Sequence, residues 1–273
     1  MNKQKIDILS TAESWINSGR SIAIATVITT WGSSPRPVGS ILIVDQDGNF
    51  EGSVSGGCVE SAVIEASQSV IKTGKVQVLD FGVSDEEAWE VGLACGGNIK
   101  VMIFNCSLSL EQEKILKQLN LDRKKGQTLA HCINIESGKQ TILYNNGKTF
   151  GNQLAKHIHS QATEAINKRE SLFISKPNNQ LFIHIHNPSL NLIIIGATHI
   201  TQSLAEMAHI VGFDVYIIDP RQAFGSAKRF ANINVETKWP DEFFIENPPN
   251  NSTAIVTLTH DPKIDDPALH DIA

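Results

Sequence analysis

Apolar positions along this chain follow two rhythms, one of helical spacing and one of short, nearly continuous runs. Ile6, Leu9, Trp15 and Ile16 keep helical spacing and Gly19 supplies a stop, which predicts an amphipathic opening helix. Ile22 to Thr30 is β-rich and mostly apolar, the pattern of a buried strand. Trp31 to Gly39 then breaks all periodicity, and Ile41 to Val44 with Phe50 to Val54 reads as a hairpin around Asp45-Gln46-Asp47-Gly48-Asn49. Val59 to Lys72 is a helix closed by Gly74, and Val76 to Phe81 a strand. Ser84 with Glu87 makes a capping box for a short helix through Glu90, and Ile99 to Phe104 is the next strand.

The same reading gives a helix over Leu110 to Leu121 and strands over Thr128 to Ile135 and Gln140 to Tyr144. A helix near Asn152 to Asn167 and strands Leu172 to Ser175 and Leu181 to His186 complete a first α/β domain, 1–187, ending at Asn187-Pro188-Ser189. The second domain, 188–273, opens with an apolar strand ending at Gly196, a helix from Ile200 to Val211, and a strand from Val215 to Asp219. This β-α-β unit predicts a Rossmann-like parallel sheet, with Thr253 to Thr259 as a further strand. No internal repeat is evident.

Composition narrows the class. A length of 273 residues suits two domains, and 41% hydrophobic residues suffice for ordinary cores. The net charge of −6 argues against a nucleic-acid partner. No stretch approaches the ~18 apolar residues of a membrane span, and the start lacks a signal-peptide pattern, so a cytoplasmic protein is expected. Of four cysteines, Cys106 and Cys132 lie in apolar strands and read as inert core thiols.

The other two carry the candidate chemistry. Ser55-Gly56-Gly57-Cys58-Val59-Glu60 and Ala94-Cys95-Gly96-Gly97 each set a thiol beside a Gly-Gly pair. Glycine admits positive φ, and exposed amides in such turns cradle anions. Cys58 falls where a turn enters a helix, which favours a thiolate, while Glu60 in the first turn opposes it. Ser33-Ser34-Pro35-Arg36-Pro37 offers two hydroxyls and a guanidinium able to bind phosphate or carboxylate. Gly196 and Asp219 keep two positions of a dinucleotide fingerprint, but Thr198 replaces the glycine that admits the pyrophosphate. His184 and His186 share one strand face, and exposed or edge-strand positions are expected for them.

Together, Gly32 to Gly39, Gly52 to Glu60, Gly92 to Gly97, Ile194 to His199 and Asp219-Pro220-Arg221 resemble the XdhC/CoxI family of xanthine dehydrogenase accessory proteins. The resemblance implies a chaperone, without turnover of its own, that binds molybdenum cofactor (molybdopterin). It acts with a cysteine desulfurase while the terminal sulfido ligand is installed, and serves a molybdenum hydroxylase client; a homo-oligomer is also expected. It implies a cofactor-binding set of Ser33, Ser34, Arg36, Gly56, Gly57, Cys58, Glu60, Cys95, Gly96, Gly97, Gly196, His199 and Asp219, with Cys58 and Cys95 ligating molybdenum or relaying sulfur. Family members usually continue beyond the helix that Asp266 to Ala273 suggests, so an incomplete second domain is expected. The rival readings are an NAD(P)-dependent oxidoreductase using Gly196 and Asp219, and a degenerate protein-interaction module.

Overall fold

Strand β1 (Ile22–Gly32) is apolar on both faces because it is covered on both. Ile22, Ile24 and Ile28 enter one buried cluster while Ala23, Ala25 and Val27 enter another. The computed structural model describes residues 7–32, 34, 36–82, 97–176, 179–225, 229–230, 233 and 235–270. The short helix expected from Ser84 to Glu90 lies outside them. The described residues divide into two compact units, one within 7–187 and one within 188–270.

The first unit is built twice over. Helix α1 (Ile8–Asn17) precedes β1, β2 (Ile41–Asp45) and β3 (Phe50–Gly52); α2 (Glu60–Thr73), β4 (Gln77–Gly82) and β5 (Gly97–Asn105) follow. The same succession then recurs. It runs through α3 (Leu110–Lys124), β6 (Leu129–Asn134), β7 (Gln140–Tyr144), β8 (Thr149–Gly151), α4 (Lys156–Lys168), β9 (Leu172–Lys176) and β10 (Asn179–His186). Each half forms a five-stranded antiparallel sheet, ordered β3-β2-β1-β5-β4 and β8-β7-β6-β10-β9.

The likeness extends to single hydrogen bonds. In the β2–β3 turn Asp45 N donates to Asn49 O and Gly48 N to Asp45 O; in the β7–β8 turn Tyr144 N donates to Lys148 O and Gly147 N to Tyr144 O. A Cβ on Gly52 would strike the Ile41 carbonyl, and one on Gly151 would meet the Gln140 carbonyl, each the first residue of the paired strand. The sequence-based statement that no repeat exists is therefore corrected. The repeat lies in element order and register, with side-chain identity largely lost.

The two sheets share one core. Ile22, Ile43 and Met102 of the first half enter it alongside Leu129, Ile142 and Phe182, their counterparts in the second, with α1 and α3 packed on it. Helix α2 covers the outer face of the first sheet, and α4 that of the second. Alternation along β10 sends Leu181, Ile183 and Ile185 under α4 and Phe182, His184 and His186 inward. His184 and His186 are thus buried on an interior strand, which overturns the expected exposed or edge position.

The second unit holds a parallel sheet ordered β13-β12-β11-β14, from β11 (Asn191–Ile195), β12 (Asp214–Ile218), β13 (Val235–Glu236) and β14 (Thr253–Thr257). Helix α5 (His199–Ile210) links β11 to β12 across one face, and α6 (Pro240–Glu246) with α7 (Pro262–His270) covers the other. This is the Rossmann-like parallel arrangement that the β-α-β pattern predicted. Among the described residues, no helix is long and apolar enough to cross a membrane.

Candidate functional site

Register places the motif loops. Strand β1 runs from Ile22, opposite Asp45, to Gly32, opposite Gly97, and Gly82 at the end of β4 faces Asn98. The loop carrying Ser34 and Arg36 therefore leaves β1 at the end where β5 begins at Gly97. Strand β3 rises toward the same end, with Gly52 opposite Leu42, and delivers the loop of Ser53 to Val59 there. The two described motif loops, that of Ser34 and Arg36 and that of Ser53 to Val59, thus leave the first sheet in the same direction along β1. Of the proposed set, Ser33, Cys95 and Gly96 lie outside the described residues.

These loops are specific to the first half of the repeat. Where residues 83–96 join β4 to β5, only 177–178 join β9 to β10; where 53–59 join β3 to α2, 152–155 join β8 to α4. The first half carries the elaboration, and the second repeats the framework.

Glu60 organises the Cys58 loop. It begins α2 and folds its carboxylate back over its own approach. Oε1 accepts from Ser53 Oγ at 2.8 Å, Ser55 N at 2.9 Å, Gly56 N at 3.1 Å and Val54 N at 3.2 Å. Oε2 accepts from Gly57 N at 2.8 Å and from the Ser55 hydroxyl. Burial alone would raise this carboxyl, yet the Ser55 hydroxyl and amide and the Ser53 hydroxyl outweigh it and hold it at about 2. The expected anion cradle of Gly56 and Gly57 is thus real but already filled, by a side chain of the same loop. That corrects the reading of these amides as free for a phosphate.

Gly56 and Gly57 adopt φ of 85° and 126°, which only glycine takes without strain, and Cys58 beside them is exposed. Arg36 is also exposed, and the Ser34 hydroxyl donates to Arg36 O at 2.9 Å, bracing that loop from within. Cys106 and Cys132 are buried, with burial raising both thiols, Cys132 to about 12. Among the described residues, no three His, Cys, Asp or Glu side chains gather to hold a metal.

In the second unit the dinucleotide positions have other duties. Asp219 is fully buried, and its Oδ2 accepts from Ala197 N at 2.8 Å and Arg221 Nη2 at 2.9 Å. Its Oδ1 accepts from Arg221 Nε at 2.9 Å and Arg221 N at 3.0 Å. Burial pushes this carboxyl up, but the Arg221 guanidinium and the Ala197 amide prevail and keep it below the usual carboxylate range. The oxygens expected to meet a ribose are engaged, so that reading is corrected. Gly196 is required by packing, since a Cβ there would lie 2.8 Å from Thr259 Cγ2 and 2.9 Å from Thr259 N. His199 is exposed, and its Nδ1 pairs with Gln202 Oε1 at 3.2 Å.

Such an arrangement defines a two-unit α/β protein, with a duplicated antiparallel unit bearing cysteine–glycine loops and a Rossmann-like unit after it. The profile described as the XdhC and CoxI family matches residues 15–82, and that described as the XdhC Rossmann domain matches 192–273. The chain belongs to the XdhC and CoxI family. It is 26% identical over 240 residues to a Bacillus subtilis protein described as a probable xanthine dehydrogenase subunit, covering 87% of this chain and 71% of that one. It is 26% identical over 223 residues to the "Molybdenum cofactor insertion chaperone PaoD" of Escherichia coli, covering 81% of this chain and 60% of that one. A crystal structure described as a xanthine dehydrogenase from Bacillus halodurans superposes with a TM-score of 0.77 at 23% identity, covering 98% of this chain and 79% of that one. That last likeness concerns the fold.

Proposed function

We propose that this chain is an accessory protein that takes molybdenum cofactor as cargo and assists its sulfuration and insertion into a xanthine dehydrogenase-type hydroxylase. One observation carries the reading: the two described motif loops leave the first sheet in the same direction along β1, and the exposed Arg36 guanidinium and Cys58 thiol lie on them. The names of the two bacterial relatives support it.

Each group has a task its chemistry suits. Arg36 presents a planar fork of donors for the pterin phosphate. Cys58, with Cys95, supplies soft sulfur that can ligate molybdenum or carry sulfur toward it. Glu60 holds the loop in shape. The cargo's phosphate depends on Arg36 rather than on the glycine amides, because Glu60 occupies those. A cysteine desulfurase as sulfur donor, a homo-oligomeric state and a cytoplasmic setting belong to the same reading.

Anaerobic titration with molybdenum cofactor and, separately, with NAD(H) tests it. Saturable binding of the cofactor and none of the nicotinamide is expected, with Arg36→Ala weakening binding about tenfold or more, as loss of a charge-assisted contact implies. Cys58→Ser and Cys95→Ser should lower activation of the client hydroxylase. Nicotinamide binding alone would establish the oxidoreductase instead, and binding of neither would leave an interaction module.

A further inference from the structure

The duplicated unit contains a cavity on the seam between its two halves, lined by apolar side chains and a few polar ones. It is lined from the first half by Ile24, Ile41, Phe104 and Cys106, and from the second by His131, Gln140, His184 and His186. Strand pairing makes these sets equivalent. Ile24 and His131 hold matching places in β1 and β6; Ile41 and Gln140 begin β2 and β7; Phe104 of β5 pairs with Ile24, and His184 of β10 pairs with His131. At these three positions the first half is apolar and the second polar, while Thr26 and its counterpart Ile133 reverse the order.

The polar side chains are incompletely paired. Gln140 Oε1 meets His131 Nε2 at 2.9 Å, which leaves the Gln140 amide nitrogen, and among the described residues Gln140 Nε2, His186 Nε2 and Gln112 Oε1 have no partner. Gln140 and His186 are 3% and 8% exposed, and both, with Gln112, line this one cavity. Buried polar atoms are normally satisfied, and three orphans around one space point to a shared partner. The cavity offers about 10 Å³ to the centre of a water molecule, room for one.

We propose that this cavity is a binding site for a single water molecule held by Gln112 Oε1, Gln140 Nε2 and His186 Nε2. The donors and acceptors balance. The water accepts from the Gln140 amide and donates one hydrogen to Gln112 and the other to His186, whose ring then carries its proton on Nδ1. A neutral occupant suits the walls, which include no carboxylate. A metal ion suits them poorly, because His131 Nε2 is committed to Gln140 and no ligand set gathers here. Burial also depresses His131 to about 4 and His184 to about 3, so these rings are uncharged near neutrality. The site lies beneath the Arg36 loop, since a Cβ on Gly39 would come within 2.8 Å of His184 Nε2.

A crystal structure of the full chain at neutral pH and high resolution tests this, with anomalous maps at the zinc, nickel and copper edges. A single peak within about 3.2 Å of all three atoms, silent in the anomalous maps, is expected. A 15N spectrum of the histidines should place His186 in the Nδ1–H form, and the peak should vanish in Gln140→Leu. An anomalous signal, no density with the two glutamine amides turned to pair with protein groups, or an Nε2–H tautomer at His186 would each overturn the site.

Discussion

At the scale of single residues, Glu60 and Cys58 divide the work of one loop. A carboxylate that accepts four backbone amides and two hydroxyls is a strut, and its removal should loosen the turn that presents the thiol. Glu60→Gln keeps the size but offers one acceptor oxygen and sets an NH2 against N–H donors. We expect a loss of about 2–3 kcal/mol, the range for charged hydrogen bonds left unmade. Urea unfolding reads the loss, and faster amide exchange at Gly56 and Gly57 locates it. Unchanged exchange there would remove the strut role. The thiols separate just as plainly: in a Cys95→Ser background, iodoacetamide near neutral pH should label Cys58 and spare buried Cys106 and Cys132 until denaturant is added. Mass spectrometry of the labelled peptides decides it. The sequence exposes Glu60 as a first-turn acid, but the backward fold of its side chain depends on where Ser53 to Gly57 turn, which no local pattern encodes.

At the scale of elements, most helices and strands are legible from periodicity because each is packed on at least one face. The exceptions have physical causes. Among them, strands β8 and β13 are two or three residues long, with all three β8 residues exposed, so neither carries a pattern to detect. The duplication escapes notice because the halves keep hydrogen-bond positions while exchanging Ile24 for His131, Phe104 for His184 and Ile41 for Gln140. The alternation His184-Ile185-His186 shows two faces but not that a second sheet covers the histidine face. What the halves retain is backbone geometry, and that can be probed. Gly52→Ala drives a Cβ into the Ile41 carbonyl, and Gly151→Ala brings one within 2.7 Å of the Gln140 carbonyl, both at positive φ. Gly19→Ala meets nothing within 4 Å at φ +85 and should lose only the ~1 kcal/mol of an ordinary left-handed position. We expect Gly52→Ala and Gly151→Ala each to cost more, about 2–3 kcal/mol in urea midpoints converted through a common slope. Equal losses at all three glycines would contradict the close approach.

At the scale of the whole molecule, the two units differ in what acid does to them. In the first, burial lowers His131 to about 4 and His184 to about 3, and lowers His186 well below its ordinary value, with neighbouring imidazoles and Arg123 adding repulsion at His184 and His186. An unfolded histidine takes its proton near 6.5, so between that pH and the folded values the unfolded state binds more protons. Stability from these rings is therefore complete above about 6.5 and is lost as pH falls toward 4 and 3. Glu60 adds a second loss with the same direction, present above its unfolded value of about 4.5 and surrendered as pH falls toward about 2. The described histidines of the second unit, His199, His209, His260 and His270, are all exposed rather than buried. Its buried charge is Asp219 paired with Arg221, whose contribution is lost only as pH falls below the ordinary carboxylate range. Acid should thus open the units in sequence. Hydrogen exchange followed by segment should show β6 and β10 losing protection between about pH 6.5 and 4 while β11 and β12 keep theirs, and His186→Phe should flatten that first fall. Simultaneous loss in both units, or earlier loss in β11 and β12, would mean that the buried imidazoles do not govern the acid limit of the fold.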